Sequence, residues 1–330
     1  MNLQSESGNY IFIWIITKYQ SLHNVHFMLN RQNKNMLINK KISVLYFIRL
    51  IKWDIITIGI YAIVAGTLDH YGFFEQIKIP LALSAFVGTT LSLLLAFRTS
   101  QSYERWWEAR VVWGAIVNDS RTLIRQLTLF LPKHKDRADL LESFATRQVI
   151  WCFALSESLR KTAPSTKVKN YFIKHNLNSE NQANLLLIRH SSALASASER
   201  GQMDPNKVVQ IDSTIARLCD SMGKCERIKN TIFPRSYSVL IHFLIYVLMT
   251  IMPFGLEDET PVVEIMLIFL VPILFIMIEK TAIIMQDPFE NIPTDTPMTA
   301  ICMTIERNLM EMIEHPPMAQ PKADNTYFIM

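Results

Sequence analysis

The sequence predicts an all-α integral membrane protein that crosses the bilayer four times and carries a large helical, water-exposed portion between two pairs of spans. Three observations predict it. Half of the 330 residues are apolar, and the mean hydropathy of +0.17 lies above the range of an ordinary soluble domain. The apolar residues are gathered into blocks close to the ~20 residues a transmembrane helix needs, rather than spread at helical period. Between the second and third blocks the pattern is helical and polar, with nothing that reads as strands or repeats.

The first 42 residues form an N-terminal extension and a basic lead-in. Tyr10 to Ile16 is apolar but too short to span a bilayer, and no basic segment precedes it. Met36 then opens MLINKKISVLYFIRLIKWD, a basic start running into an apolar helix, and we expect the native chain to begin there. Residues 43–97 hold the first pair of spans. Trp53 to Leu68 is the shorter one; Ile79 to Phe97, IPLALSAFVGTTLSLLLAF, contains no charge. Residues 98–234 make up the cytosolic helical portion. The second pair occupies 235–286, with an uncharged span from Ser236 to Leu256. Its companion runs from Val262 to Ile278 and continues past Glu279 and Lys280. Pro272 removes one backbone hydrogen bond from that last span and predicts a kink. Residues 287–330 form a cytosolic C-terminal segment, with one helix over 297–314 and a loose proline-rich tail.

The flanking charges set the direction. Arg31, Lys34, Lys40, Lys41, Arg49 and Lys52 precede the first span, and Arg98, Arg105 and Arg110 follow the second. The outer loops carry Asp69 and Glu75 with the single Lys78, and the acidic GLEDETP. By the positive-inside rule both hairpin loops face out and both termini face the cytoplasm; the expected location is the cell (inner) membrane, as a multi-pass protein.

Within the cytosolic portion, Leu91 to Trp113 contains neither glycine nor proline, so the second span runs on as one helix beyond the membrane, with Gly114 and Pro132 as punctuation. Asp139 to Lys161 repeats Leu140, Leu141, Phe144, Ile150, Trp151, Leu155 and Leu159 at helical spacing and ends at Thr162-Ala-Pro164. Asn176 to Asn184 reads as a loop. Asp204 is an N-cap with Pro205 at the first helical position, opening a helix to about Asn230.

Charge and motifs exclude several classes. A net charge of +4 without basic runs interleaved with aromatics argues against nucleic-acid binding. Cys152, Cys219, Cys225 and Cys302 have no metal-site spacing and read as apolar filler. No P-loop, nucleophile elbow, zinc motif or dinucleotide fingerprint is present. A membrane-anchored helical enzyme or scaffold stays open as an alternative, because sites assembled from distant residues leave no local motif. A secondary transporter is disfavoured by the lack of an inverted repeat with broken helices.

Thr89, Leu93 and Phe97 stand at i, i+4 and i+8 and so share one stripe of the second span. Small residues surround them, and an ordinary helix-packing face fits this pattern. So does a pore wall, in which several copies of the helix stack rings of apolar side chains that gate by dewetting. FRTSQSYERWWEAR below the stripe fits an interfacial belt. Glu279 and Lys280 are read as an anchor at the inner membrane boundary, although an ionisable residue at that depth is also a candidate for function.

At these residues the chain resembles the bacterial branch of the bestrophin family. The resemblance rests on residues 79–123, IPLALSAFVGTTLSLLLAFRTSQSYERWWEARVVWGAIVNDSRTL, on CERIKNTIFP at 225–234, and on IEKTAIIMQDPFENIPTDTPM at 278–298. It spans about Met36 to Glu314. It implies a homopentameric ion channel set in membrane lipid, with four spans per subunit and a cytosolic helical vestibule. The second span would line a hydrophobic neck at Thr89, Leu93 and Phe97, and Thr89, in place of the usual bulky aliphatic residue, would make the outermost ring wider and wetter. A deeper constriction would fall at Lys207 and Val208. Glu104, Arg105, Glu108 and Arg110 would be vestibule charges. Anion (chloride) conduction is the family default, and cation (sodium) conduction follows the closer bacterial relatives; either way the permeant species are small monovalent ions. Calcium-binding relatives carry a dense acidic run after the last span. Here only Asp287, Glu290 and Asp295 stand in it, against the six to eight oxygens calcium takes, so neither a cofactor nor calcium activation is expected.

Overall fold

The computed structural model describes residues 48–71, 79–133, 135–201, 203–231, 234–256, 260–292 and 294–315, all within one compact unit. The proposed start at Met36, most of both loops expected to face out and the C-terminal tail lie outside the described residues. Among the described residues there are helices and no strands.

Among the described residues the helices run in order α1 Lys52–His70, α2 Leu81–Phe130, α3 Arg137–Leu159, α4 Thr166–Lys174, α5 Gln182–Gly201, α6 Pro205–Asn230, α7 Arg235–Ile251, α8 Pro261–Gln286 and α9 Met298–Met312, with a 3₁₀ turn at Pro253–Gly255. The organising element is α2. It runs unbroken for 50 residues, about 75 Å at the α-helical rise, so its two ends serve two different cores.

Its N-terminal half packs on α8 and α7, and α8 packs in turn on α1. The shared core is aliphatic: Leu91 and Leu95 of α2, Ile58 of α1, Ile241, Ile245 and Leu248 of α7, and Ile273 and Ile276 of α8. Helices α1 and α8 approach closely at Gly66, where a Cβ would lie 2.4 Å from Ile265 Cγ1; a small residue is what lets two such backbones meet. The C-terminal half of α2 packs on α6 and α9 around Trp113, Ile116, Leu123 and Leu127, with Phe144 and Trp151 of α3 completing this second core.

The structure corrects two boundaries. Helix α5 begins at Gln182, inside the stretch Asn176 to Asn184 that reads as a loop. Gly114 does not interrupt α2: the helix passes through it to Phe130 and stops before Pro132. A helical glycine costs only about 1 kcal/mol against alanine, which is small beside the burial of neighbouring Trp113 and Ile116. Helix α6 begins as its sequence predicts, with Asp204 Oδ1 accepting from the Asn206 amide at 2.8 Å and Pro205 in the first turn. Helix α4 is capped by Ser165, whose hydroxyl accepts from Val168 N. Helix α8 stays helical across Pro272. Cys152, Cys225 and Cys302 are buried and Cys219 is exposed, all as free thiols; burial pushes the thiols of Cys152 and Cys225 up to about 12.

Among the described residues, two helices are long and apolar enough to cross a membrane, within Leu81–Phe130 and Val262–Gln286, and a third apolar helix, Ser236–Ile251, is shorter.

Candidate pore helix and the charges below it

Helix α2 has two faces. One is buried along Ser84, Leu91, Leu95, Arg98 and Ser102, at the three- and four-residue steps of a helix stripe. The other carries Thr89, Leu93 and Phe97, and all three are exposed in the protomer, Leu93 by 59% and Phe97 by 60%. The stripe picked out in the sequence is therefore not a packing face within the chain. The Thr89 hydroxyl donates to the Ala85 carbonyl at 2.8 Å, and Ser92 bonds Gly88 in the same way. Their polarity is partly satisfied inside the helix, which suits them to an apolar setting.

The exposed face continues toward the second core through Glu104, Trp107 and Val111. Of the other charges assigned to this stretch, Arg105 turns inward and donates to the Ile228 carbonyl at the end of α6. Burial lowers the pKa of its guanidinium, opposed by the carboxylates of Asp287 and Glu108. Glu108 accepts from Arg227 of α6 at 2.6 Å. Arg110 is half-buried. In the first turn of α6, Lys207 is exposed with its ammonium 5.8 Å from the Phe130 ring centroid. Val208 packs partly into the core, and the exposed apolar side chain there is Val209.

The segment after α8 is held beneath α2 rather than hanging free. Trp106 Nε1 donates to the Thr294 carbonyl at 2.9 Å, and Lys229 of α6 pairs with Asp287 at 2.6 Å. Asp295 accepts from the Ile292 amide at 3.2 Å, and burial pushes its carboxyl up to about 6. Glu290 is exposed. The three acidic residues of this stretch thus have separate environments, and among the described residues no group of three or more His, Cys, Asp or Glu side chains gathers as a metal site would require.

One feature near the stripe is not visible in local sequence. Arg98, the residue after Phe97, is 2% exposed and donates to Glu279 Oε1 of α8 at 2.9 Å, and Glu279 is fully buried. His242 Nδ1 of α7 lies 3.1 Å from the same oxygen. Glu279 is the centre of a polar contact joining three helices. The signal that could have found it is its ionisable side chain in an otherwise apolar run; its partners, far off in the chain, have no local signature.

A family model described as "Bacterial/Fungal Bestrophin protein" matches residues 33–311. The chain belongs to the bestrophin family. Relatives agree: a voltage-dependent anion channel-forming protein of Mesorhizobium japonicum is 30% identical over 249 residues, covering 73% of this chain and 78% of the relative. The voltage-dependent anion channel-forming protein YneE of Escherichia coli K12 is 30% identical over 241 residues, 72% of this chain and 78% of the relative. Among solved structures, a bacterial bestrophin homolog from Klebsiella pneumoniae superimposes with a TM-score of 0.73 at 27% identity, over 81% of this chain and 100% of that one. Membership of this bestrophin family makes the chain a membrane protein and supports ion conduction rather than enzymatic catalysis as its activity.

Proposed function

We propose that this bestrophin is one subunit of a homopentameric channel in the inner membrane that passes small monovalent ions passively along α2. Helices α1, α2, α7 and α8 are its four spans, and both termini face the cytoplasm. Helix α7 has 17 residues, about 25 Å of rise, and the 3₁₀ turn after it extends the segment toward the ~30 Å of a hydrocarbon core. One observation carries the reading. Leu93 and Phe97 are large, apolar and exposed in the protomer, while the opposite face of the same helix is packed. Copies of α2 around an axis would convert that stripe into rings of Thr89, Leu93 and Phe97, a neck that gates by dewetting. Lys207 and Val208 mark a deeper constriction at the first turn of α6.

Anion conduction is the first reading of selectivity, supported by the names of the Mesorhizobium and Escherichia relatives. Cation conduction is the second, and the disposition of charge below the neck favours it. Glu104 is exposed on the same face as Phe97, whereas Arg105 is drawn into α6.

The test is ion flux through the purified protein in liposomes. Passive flux that rises when Leu93 or Phe97 becomes Ala supports the neck, and absence of flux in all forms supports the scaffold alternative. Reversal potentials in asymmetric sodium chloride then separate chloride from sodium.

A further inference from the structure

We propose that Arg121 and Arg125 form a basic girdle on the cytosolic part of the pore wall. The girdle binds multivalent oxyanions of the phosphate class and, when empty, raises the share of current carried by anions. This rests on the reading of the exposed stripe of α2 as the wall. Phe97, Glu104, Val111, Asn118 and Arg125 follow one another at seven-residue steps, two turns of helix, so they form one row, and all five are exposed. Arg121 stands one turn before Arg125 and is exposed as well. The row continues the face of Leu93 and Phe97 well past the span. Its charge changes sign on the way, from Glu104 to the two arginines.

Two guanidiniums at i and i+4 on one helix face repel each other. The chain offers them little relief. Asp119 is the single acidic residue between Glu108 and Asp136, and its carboxylate accepts from Arg217 Nε of α6 at 2.8 Å. Among the described residues neither Arg121 nor Arg125 forms an ion pair. The arginines of α2 nearer the membrane are engaged within the protomer, Arg98 on Glu279 and Arg105 on the Ile228 carbonyl. Past Arg125 a third cation joins the same end of the helix, Lys207 of α6, whose ammonium lies 5.8 Å from the Phe130 ring centroid. A guanidinium presents its donors as a rigid fork that matches the oxygens of a phosphate, and an oxyanion between two forks relieves their repulsion. Repeated around an axis, the pair makes a positive belt that enriches anions and depletes cations in the water beside it. A lipid headgroup is not the ligand, because Arg121 lies about 35 Å of helical rise beyond Arg98.

The experiment records currents of the full-length protein in planar bilayers in asymmetric sodium chloride at low ionic strength, where wall charges are least screened. The probe is inorganic pyrophosphate, added first to one compartment and then to the other. In wild type the probe is expected to shift the reversal potential toward the sodium equilibrium value, and from one compartment only. Arg121→Gln/Arg125→Gln is expected to show that shift without the probe and no further shift with it. Both forms are also melted in detergent, where the probe should raise the melting temperature of wild type by several degrees and leave the double variant unchanged. Both side chains are exposed in the protomer, so the double variant is expected to fold. A wild type that ignores the probe in either measurement, or a double variant that still responds, overturns the inference and leaves the neck reading standing. So does a double variant that loses its oligomeric state, because the guanidiniums would then be bound to a neighbouring copy. Wild type without current in any condition overturns the channel reading itself, and the melts then decide the oxyanion site alone.

Discussion

Arg98 and Glu279, 181 positions apart in the chain, meet at 2.9 Å with side chains that are 2% and 0% exposed. A buried ion pair of this kind says less about net stability than about what happens when one half is lost. Removing one partner leaves a buried charge uncompensated, at about 3–5 kcal/mol, whereas replacing both by apolar residues of similar volume is often neutral or stabilising. Arg98→Met or Glu279→Leu alone is therefore expected to lower the melting temperature in detergent clearly, and the double variant to recover most of the loss. Additive losses would mean that the two side chains do not act as a pair.

The outermost ring of the proposed neck provides a second expectation. Thr89 is smaller and more polar than an aliphatic residue, and its hydroxyl is engaged with Ala85. Thr89→Leu narrows and dries that ring and should reduce liposome flux, opposite in sign to Phe97→Ala. Because Thr89 is exposed in the protomer, neither the yield nor the melting temperature of the detergent-solubilised subunit should fall with it.

His190 of α5 is buried and stacked on Phe144 of α3 at 5.3 Å between ring centroids. Burial, with a smaller contribution from the Arg147 charge, lowers its pKa well below the ordinary histidine value. A depressed pKa means that the unfolded chain binds the proton more readily than the folded one, so stability is fully present above about pH 6.5 and is lost as pH falls from there toward the folded value. Thermal melts across that interval should show the loss, and His190→Leu should remove much of the slope.

Asp295 works in the opposite sense. Its folded pKa is raised, to about 6, chiefly by burial. The folded chain holds the proton more tightly, so this group's contribution is fully present below about pH 3.9, the ordinary aspartate value, and is lost as pH rises through the folded value. Asp295→Asn keeps an oxygen that can accept from the Ile292 amide and should raise the melting temperature at neutral pH. No change, or a decrease, would show that the ionised carboxylate is better accommodated than its burial implies.

Calcium gives the fifth test. Asp287 is paired with Lys229, and Asp295 accepts from backbone amides, so flux is expected to be unchanged when bath calcium is chelated. A loss of flux on chelation would overturn this.

The helical class, the order of the apolar blocks, the start of α6 at Asp204 and the stripe on α2 were all legible in the sequence. Each is set by local chemistry: hydropathy over a window, a capping side chain followed by proline, or the three- and four-residue steps of one helix. The family was legible too, because 79–123 concentrates its residues in one uninterrupted stretch. The short helix α4 and the start of α5 were less so, since short amphipathic helices depend on the core they pack against.

Tertiary structure decided what those local rules leave open. Gly114 stays helical because Trp113 and Ile116 are buried on either side of it. Arg105 and Glu108, two charges on the candidate vestibule helix, are engaged by α6, while Glu104 remains exposed. Above all, Arg98 and Glu279 each look like a charge at the edge of a span when read along the chain. Only packing of α2 against α8 makes them one buried pair, because the energy of a charge depends on what surrounds it in space and not on its neighbours in sequence.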